Sequence, residues 1–175
     1  MNLKEEILRE HSKAQTLRIA KYVGDDKKRF SELVRLVMKN EKPVSQRAAW
    51  IMSYSVGKYP DLFKPYLASC VKNLDKPDVH EGVKRNVLRV LQDIEIPARL
   101  MGKLTDSCFR LLMNPKEAIA VRVFSMAVLF NIVRRESGLK GELKLVIEEA
   151  LVHGGPAIQS RGKKILKQLE KLKDQ

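Results

Sequence analysis

The sequence predicts an all-α solenoid of stacked helix pairs, and three observations lead there. Apolar residues recur at spacings of three and four, as in Phe30, Leu33, Val34 and Val37 and again in Val83, Val87, Val90, Leu91 and Ile94, and no segment alternates with the period of two that a strand needs. Glycine and proline punctuate the chain at GDD (24–26), EKP (41–43), KYPD (58–61), DKPD (75–78), EIPA (95–98), NPKE (114–117), ESGLKG (136–141) and HGGP (153–156), leaving segments of helical length between them. Those segments also repeat with a period of about 38 residues, within the range that marks a solenoid.

Taken in chain order, the segments give about nine helices. Residues 3–23 read as one capping helix (1–24 with its turn), and helix pairs follow over about 25–57, 58–95, 96–133 and 134–175, all within one domain spanning 1–175. The second helices share a register. Val56, Ile94, Ile132 and Leu169 form one apolar column, Met52, Val90, Val128 and Ile165 another, and Ala49, Val87, Ser125 and Gly162 a column of small or modest residues. Among the first helices, Leu62, Leu100 and Leu139 align, as do Cys70, Cys108 and Ile147, which makes the two cysteines repeat equivalents with a core role. Leu17, Ile19 and Val23 match Trp50, Met52 and Val56 at a shorter step, so the first helix reads as a second helix without a partner. Trp50 shares a column with Leu17, Leu88 and Met126 and is expected in the core. The last helix keeps Ile165, Leu166, Leu169 and Leu172 on one side and lysines elsewhere, which suits the closing end of a stack.

Composition narrows the function. With 44% hydrophobic and 31% charged residues the chain is that of an ordinary soluble domain, and its longest apolar runs fall far short of a bilayer span. The N-terminus MNLKEEILREHSK lacks the pattern of a signal peptide, so a cytoplasmic location is expected, with no membrane partner. Lys and Arg number 34 against 21 Asp and Glu, and the resulting formal charge of +13 attracts anionic partners. His11, His80 and His153 lie in different repeats without ligand spacing and read as surface residues, so no metal is expected. No phosphate loop or nucleophile elbow occurs, and HGGP reads as a turn before a helix. No catalytic residue, cofactor or bound small molecule is assigned.

The segment LLMNPKEAIAVRVFSMAVLFNI (111–132) resembles a HEAT repeat. Asn114 stands where that family often has Asp, and Val121-Arg122 where it has a Val-Arg pair at the head of the second helix. Val83-Lys84 matches more loosely, as does Ser45-Gln46 with its base displaced to Arg47. The resemblance covers residues 12–169 and implies a right-handed α-α superhelix whose second helices line a concave binding face. It also implies that the bases heading those helices, Arg47, Lys84 and Arg122, contact an acid or carbonyl of a neighbouring turn.

On helix 83–94 the face opposite the apolar stripe carries Arg85, Arg89 and Gln92. The same offsets select Ala14, Arg18 and Lys21 in the cap, Arg47, Ile51 and Tyr54 in the next second helix, then Val123, Ala127 and Phe130, and finally Ser160, Lys164 and Lys167. The expected binding residues are therefore Arg18, Lys21, Arg47, Tyr54, Arg85, Arg89, Gln92, Phe130, Lys164 and Lys167. A basic groove with aromatic interruptions is expected to hold an acidic protein segment as a non-enzymatic scaffold. Nucleic acid is the alternative, because the same groups neutralise phosphates and stack on bases. Fold and charge are similar to those of the HEAT-like alkylpurine DNA glycosylases of bacteria. That family uses a groove carboxylate and several aromatics, whereas here Tyr54 stands one turn after Trp50 and Asp93 is the one acid near the groove, so glycosylase chemistry is not expected.

Overall fold

The computed structural model describes residues 1–172, and every regular element among them is helical; positions 173–175 of the expected last pair lie outside the described residues. The chain gathers into two compact units, Met1–Ile94 and Glu95–Gln175, and the change between them falls at the EIPA break. The first unit holds α1 (Leu3–Arg9), α2 (Lys13–Val23), α3 (Lys27–Met38), α4 (Val44–Lys58), a 3-10 segment (Pro60–Tyr66) running into α5 (Leu67–Asn73), and α6 (Glu81–Leu91). The second holds α7 (Ala98–Met113), α8 (Ile119–Val133), a 3-10 turn (Ser137–Leu139), α9 (Lys140–His153) and α10 (Pro156–Glu170).

Residues 3–23, expected as one helix, form two, so the described residues hold ten α-helices instead of nine. Glu10 is extended at φ −153° and ψ 142°, and the Ser12 hydroxyl then caps α2 by accepting the Gln15 N–H at 3.1 Å. Ser12-Lys13-Ala14-Gln15 has the S-x-x-Q form of a capping box, a helix start that needs neither Gly nor Pro. The Gln15 amide does not reach back as in that box. It donates to the Glu6 carbonyl at 2.7 Å and to the Glu6 carboxylate at 3.1 Å, which ties α2 to α1 as a helix pair.

Arg18 adds an ion pair to the same carboxylate. The Gln15 hydrogen bond, helped by the charges of Arg18 and Arg9, holds the Glu6 carboxyl below its ordinary value of 4.5. A carboxyl depressed by folding contributes stability above its unfolded pKa and loses that contribution as pH falls through the lower folded value. Glu6→Gln should therefore flatten the fall in melting temperature between about pH 5 and pH 3, and circular dichroism melts across that window test it. An unchanged slope would remove Glu6 from the acid sensitivity of the α1–α2 pair.

Within the first unit α2 packs on α4 and α4 on α6, while α1 and the 3-10 segment both meet α3. This order sets three second helices side by side. Their seams follow the predicted columns at Ala49, Met52 and Val56 on α4 and at Val87 and Val90 on α6, all buried, but Ile94, expected in the column of Val56, is half-buried in the turn beyond Leu91, where α6 ends short of the expected residue 94. Pro65 lies inside the first helix of the third pair and lacks an N–H, which accounts for a 3-10 opening before α5. Gly24 closes α2 at φ +54°, a left-handed conformation that glycine adopts without steric cost.

The second unit obeys the same logic. α8 packs between α7 and α10, and α9 lies against both α7 and α10. Ser125, Val128, Ile132, Ile165 and Leu169 are buried on its second helices. Gly162 continues the small column because a Cβ there would sit 2.9 Å from Leu151 Cδ2 and 3.1 Å from Ile147 Cγ2. Cys70 in the first unit and Cys108 in the second are each fully buried in a first helix, as their shared register predicts. Burial pushes the Cys70 thiol up to about 12, far from the thiolate a nucleophile needs. No helix among the described residues is long and apolar enough to cross a membrane.

Candidate binding site

Charge alone does not locate a site, because the excess of bases is shared about equally between the two units. Ring geometry does. His11, in the break before α2, meets Trp50 of α4 edge-on, with centroids 5.7 Å apart and planes at 85°. Trp50 and Tyr54 are one helical turn apart, and their centroids stand 6.3 Å from each other. Across the α4–α6 seam, the Arg89 guanidinium lies 5.5 Å from the centroid of the Tyr54 ring. The result is a line of three rings running from the α1–α2 break along α4, closed at α6 by a cation.

Beside Tyr54 and Arg89 a cleft of about 380 Å³ opens between α4 and α6. Ser53, Gly57 and Lys58 line it from α4, and Asp93 from the turn after α6. Gly57 leaves space there, since a Cβ at that position would meet nothing within 4 Å. The Ser53 hydroxyl already donates to the Trp50 carbonyl at 2.7 Å, so it faces the cleft as an acceptor. Among the described residues, no group of three or more His, Cys, Asp or Glu could hold a metal ion.

The predicted residues divide between the units. Tyr54, Arg85, Arg89 and Gln92 lie on α4 and at α6, with Arg85 and Arg89 exposed and Tyr54 half-buried. Arg18 and Lys21 are exposed on α2, although Arg18 is engaged by Glu6 and by the Gln15 side chain at 2.9 Å. Phe130, Lys164 and Lys167 belong to the second unit, Phe130 half-buried on α8 and both lysines exposed on α10. Two positions with outward offsets are buried instead: Ile51 is 2% exposed and Ala127 8%. α4 packs against both α2 and α6, and α8 against both α7 and α10, which makes the buried arc of each helix wider than a single stripe predicts.

Arg47 takes a structural role. Its Nη1 donates at 3.2 Å to the carbonyls of both Ile7 and Leu8, the open C-terminal end of α1. Arg122 does the equivalent in the second unit, donating from Nε to the Leu112 carbonyl at 2.9 Å. Arg135 follows suit with the Ile96 carbonyl at 2.7 Å. Arg47 and Arg122 thus satisfy carbonyls that helix C-termini leave unpaired, Arg135 satisfies one in the loop before α7, and Lys84, 9% exposed, is also withdrawn from the surface.

Trp50 is the main correction. Its register predicts the core, beside Leu17, Leu88 and Met126, yet the column divides: Leu88 and Met126 are fully buried, Leu17 is 42% exposed and Trp50 is half-buried. The register positions the Cβ correctly, but α1 is only seven residues long and the bulky indole reaches past the seam into the ring line. A signal is present in the Trp-x-x-x-Tyr spacing, which sets both rings on one helical face. Nothing comparable points to His11, whose position depends on the unforeseen break between α1 and α2.

No curated protein and no solved structure gives a significant match to this chain. Against known families, residues 3–169 match the HEAT repeat domain, a family that commonly mediates protein interactions and is typically non-catalytic. That match covers nearly the whole chain and agrees with helix pairs that repeat in register from α1 to α10, so the chain belongs to the HEAT repeat domain family.

Proposed function

We propose that the α2–α4–α6 face holds an acidic protein segment in the cytoplasm, without chemistry of its own. The observation that carries this reading is the ring line His11–Trp50–Tyr54 closed by Arg89. Exposed Arg85 and Lys21 add positive charge on the neighbouring helices. Half-buried aromatics anchor apolar side chains at low entropic cost, and the flanking guanidinium groups pair with carboxylates. Asp93 in the adjoining cleft works against a dense polyanion and favours a ligand of spaced charges. On the second unit, half-buried Phe130 on α8 and exposed Lys164 and Lys167 on α10 offer groups of the same kinds.

Trp50 is the only tryptophan, so its fluorescence reports directly on this site. Titration with a tryptophan-free peptide of alternating Glu and Leu should change that fluorescence in a saturable way. The midpoint should weaken only a few-fold between about 50 and 200 mM salt, because few charges are neutralised. A duplex or single-stranded oligonucleotide serves as the comparison. Nucleic acid becomes the ligand if the oligonucleotide alone saturates the signal with a steep salt slope. Silence of Trp50 toward the peptide at low salt would end the acidic-segment reading.

A further inference from the structure

A second opening in the first unit shares Lys58 and Pro60 with the α4–α6 cleft but none of the rings of the line. A pocket of about 630 Å³ lies between the N-terminal end of α3, the C-terminal end of α4 and the 3-10 segment, a volume within the range of small-molecule sites. Phe30, fully buried, and Leu62, 9% exposed, give it an apolar floor. Tyr66 packs against Phe30 with ring centroids 5.8 Å apart at 55°, and half-buried Tyr59 is a second ring in the lining. Pro60 and Pro65, both in the lining, stiffen the wall between the two tyrosines.

The charged groups at the rim have different commitments. Asp61 is paired with Lys64 at 2.7 Å, and that hydrogen bond holds its carboxyl below the ordinary 3.8, so its charge is already answered. Lys58 lies with its ammonium 5.3 Å from the Tyr59 ring centroid, and Lys27 is exposed at the first position of α3. Asp25 also lines the pocket, which leaves two lysines against one unanswered carboxylate.

We propose that this pocket binds a small aromatic monoanion: one or two fused rings seated against Tyr59, Tyr66 and the Phe30 floor, with a single carboxylate reaching Lys27 and Lys58. An apolar body fits the floor and walls, and one negative charge fits the rim. Asp25 repels a ligand carrying several. The site does not depend on the acidic-segment reading of the α2–α4–α6 face.

The test is a titration of the full chain with 1-naphthoate, followed by two-dimensional amide NMR, with neutral 1-naphthalenemethanol as the matched control. One-site saturation is expected at about 1 mM or tighter, with shifts centred on Lys27, Tyr59 and Tyr66. The neutral compound should bind about tenfold more weakly. Lys27→Glu should weaken naphthoate about tenfold and leave the neutral compound unchanged. That variant keeps its fold, because an acid in the first turn of α3 suits the helix N-terminus. The double substitution Arg85→Glu with Arg89→Glu should leave naphthoate binding intact, which separates this site from the peptide face. Absence of saturation, shifts centred elsewhere, equal affinity for the neutral compound, or indifference to Lys27→Glu would each overturn the proposal.

Discussion

Arg85→Glu combined with Arg89→Glu should lower affinity for the acidic peptide by about 100-fold or more, while the far-ultraviolet circular dichroism stays that of the wild type. Both side chains are exposed on α6, and the residues that hold α6 in place, Val83, Val87, Leu88 and Val90, are on its buried face. Reversal therefore changes the field at the site without opening a cavity. Two acids replace the exposed cations of α6, one of which lies over Tyr54, and the acid at position 89 joins Asp93 in lining the cleft, which then repels carboxylates that it had attracted. The melting temperature should drop only a few degrees (~1–4 °C), since the two introduced carboxylates repel each other one turn apart and the second of them repels Asp93 one turn further on. The loss of the Arg89 contact with the Tyr54 ring adds to the binding effect. Trp50 fluorescence and a melt on the same sample give both readings. Peptide binding that survives the double reversal would move the site to another surface, and a collapsed melt would make these arginines structural.

The same pair of arginines shows what periodicity can convey. Their outward direction follows from an apolar stripe on one helix, and α6 has that stripe in clear form, so Arg85 and Arg89 are exposed as read. The small column from Ala49 to Gly162 and the two buried cysteines were legible for the same reason, since register fixes where each Cβ stands relative to a repeated seam. Legibility ended where the answer depended on size and on neighbours. Ile51 has an outward offset but is enclosed, because α4 packs against helices on both sides. Trp50 has an inward offset but emerges, because its ring is larger than the leucine and methionine of its column and α1 is short. Arg47 could be placed by sequence near the groove or near a carbonyl, and only the three-dimensional position of α1's last turn assigns it to Ile7 and Leu8. The break at Glu10 is a different case. Its capping serine was visible, but eight Gly and Pro breaks drew attention to one kind of punctuation.

The turn between α9 and α10 carries the second large effect, and its two glycines should behave oppositely. Gly154→Ala should destabilise the second unit by about 3 kcal/mol and lower its melting temperature by about 10 °C. Neither Gly154 (φ −78°) nor Gly155 (φ −68°) has a backbone that demands glycine, so conformational freedom does not distinguish them. Space does. A Cβ at Gly154 would stand 2.5 Å from the Ala150 carbonyl oxygen and 2.4 Å from Ile158 Cγ2, whereas one at Gly155 would meet nothing within 4 Å. The carbonyl belongs to the last turn of α9 and cannot withdraw without loosening that turn, and Ile158 is 1% exposed in the α9–α10 core. Relief therefore requires α10 to move away from α9, which also disturbs Gly162 where it sits against Ile147 and Leu151. Gly155→Ala, one residue later, should shift stability by less than about 0.5 kcal/mol in either direction. Equal melts for the two alanine variants would show that the turn can open without loss and that the close approach at Gly154 does not set the α9–α10 packing.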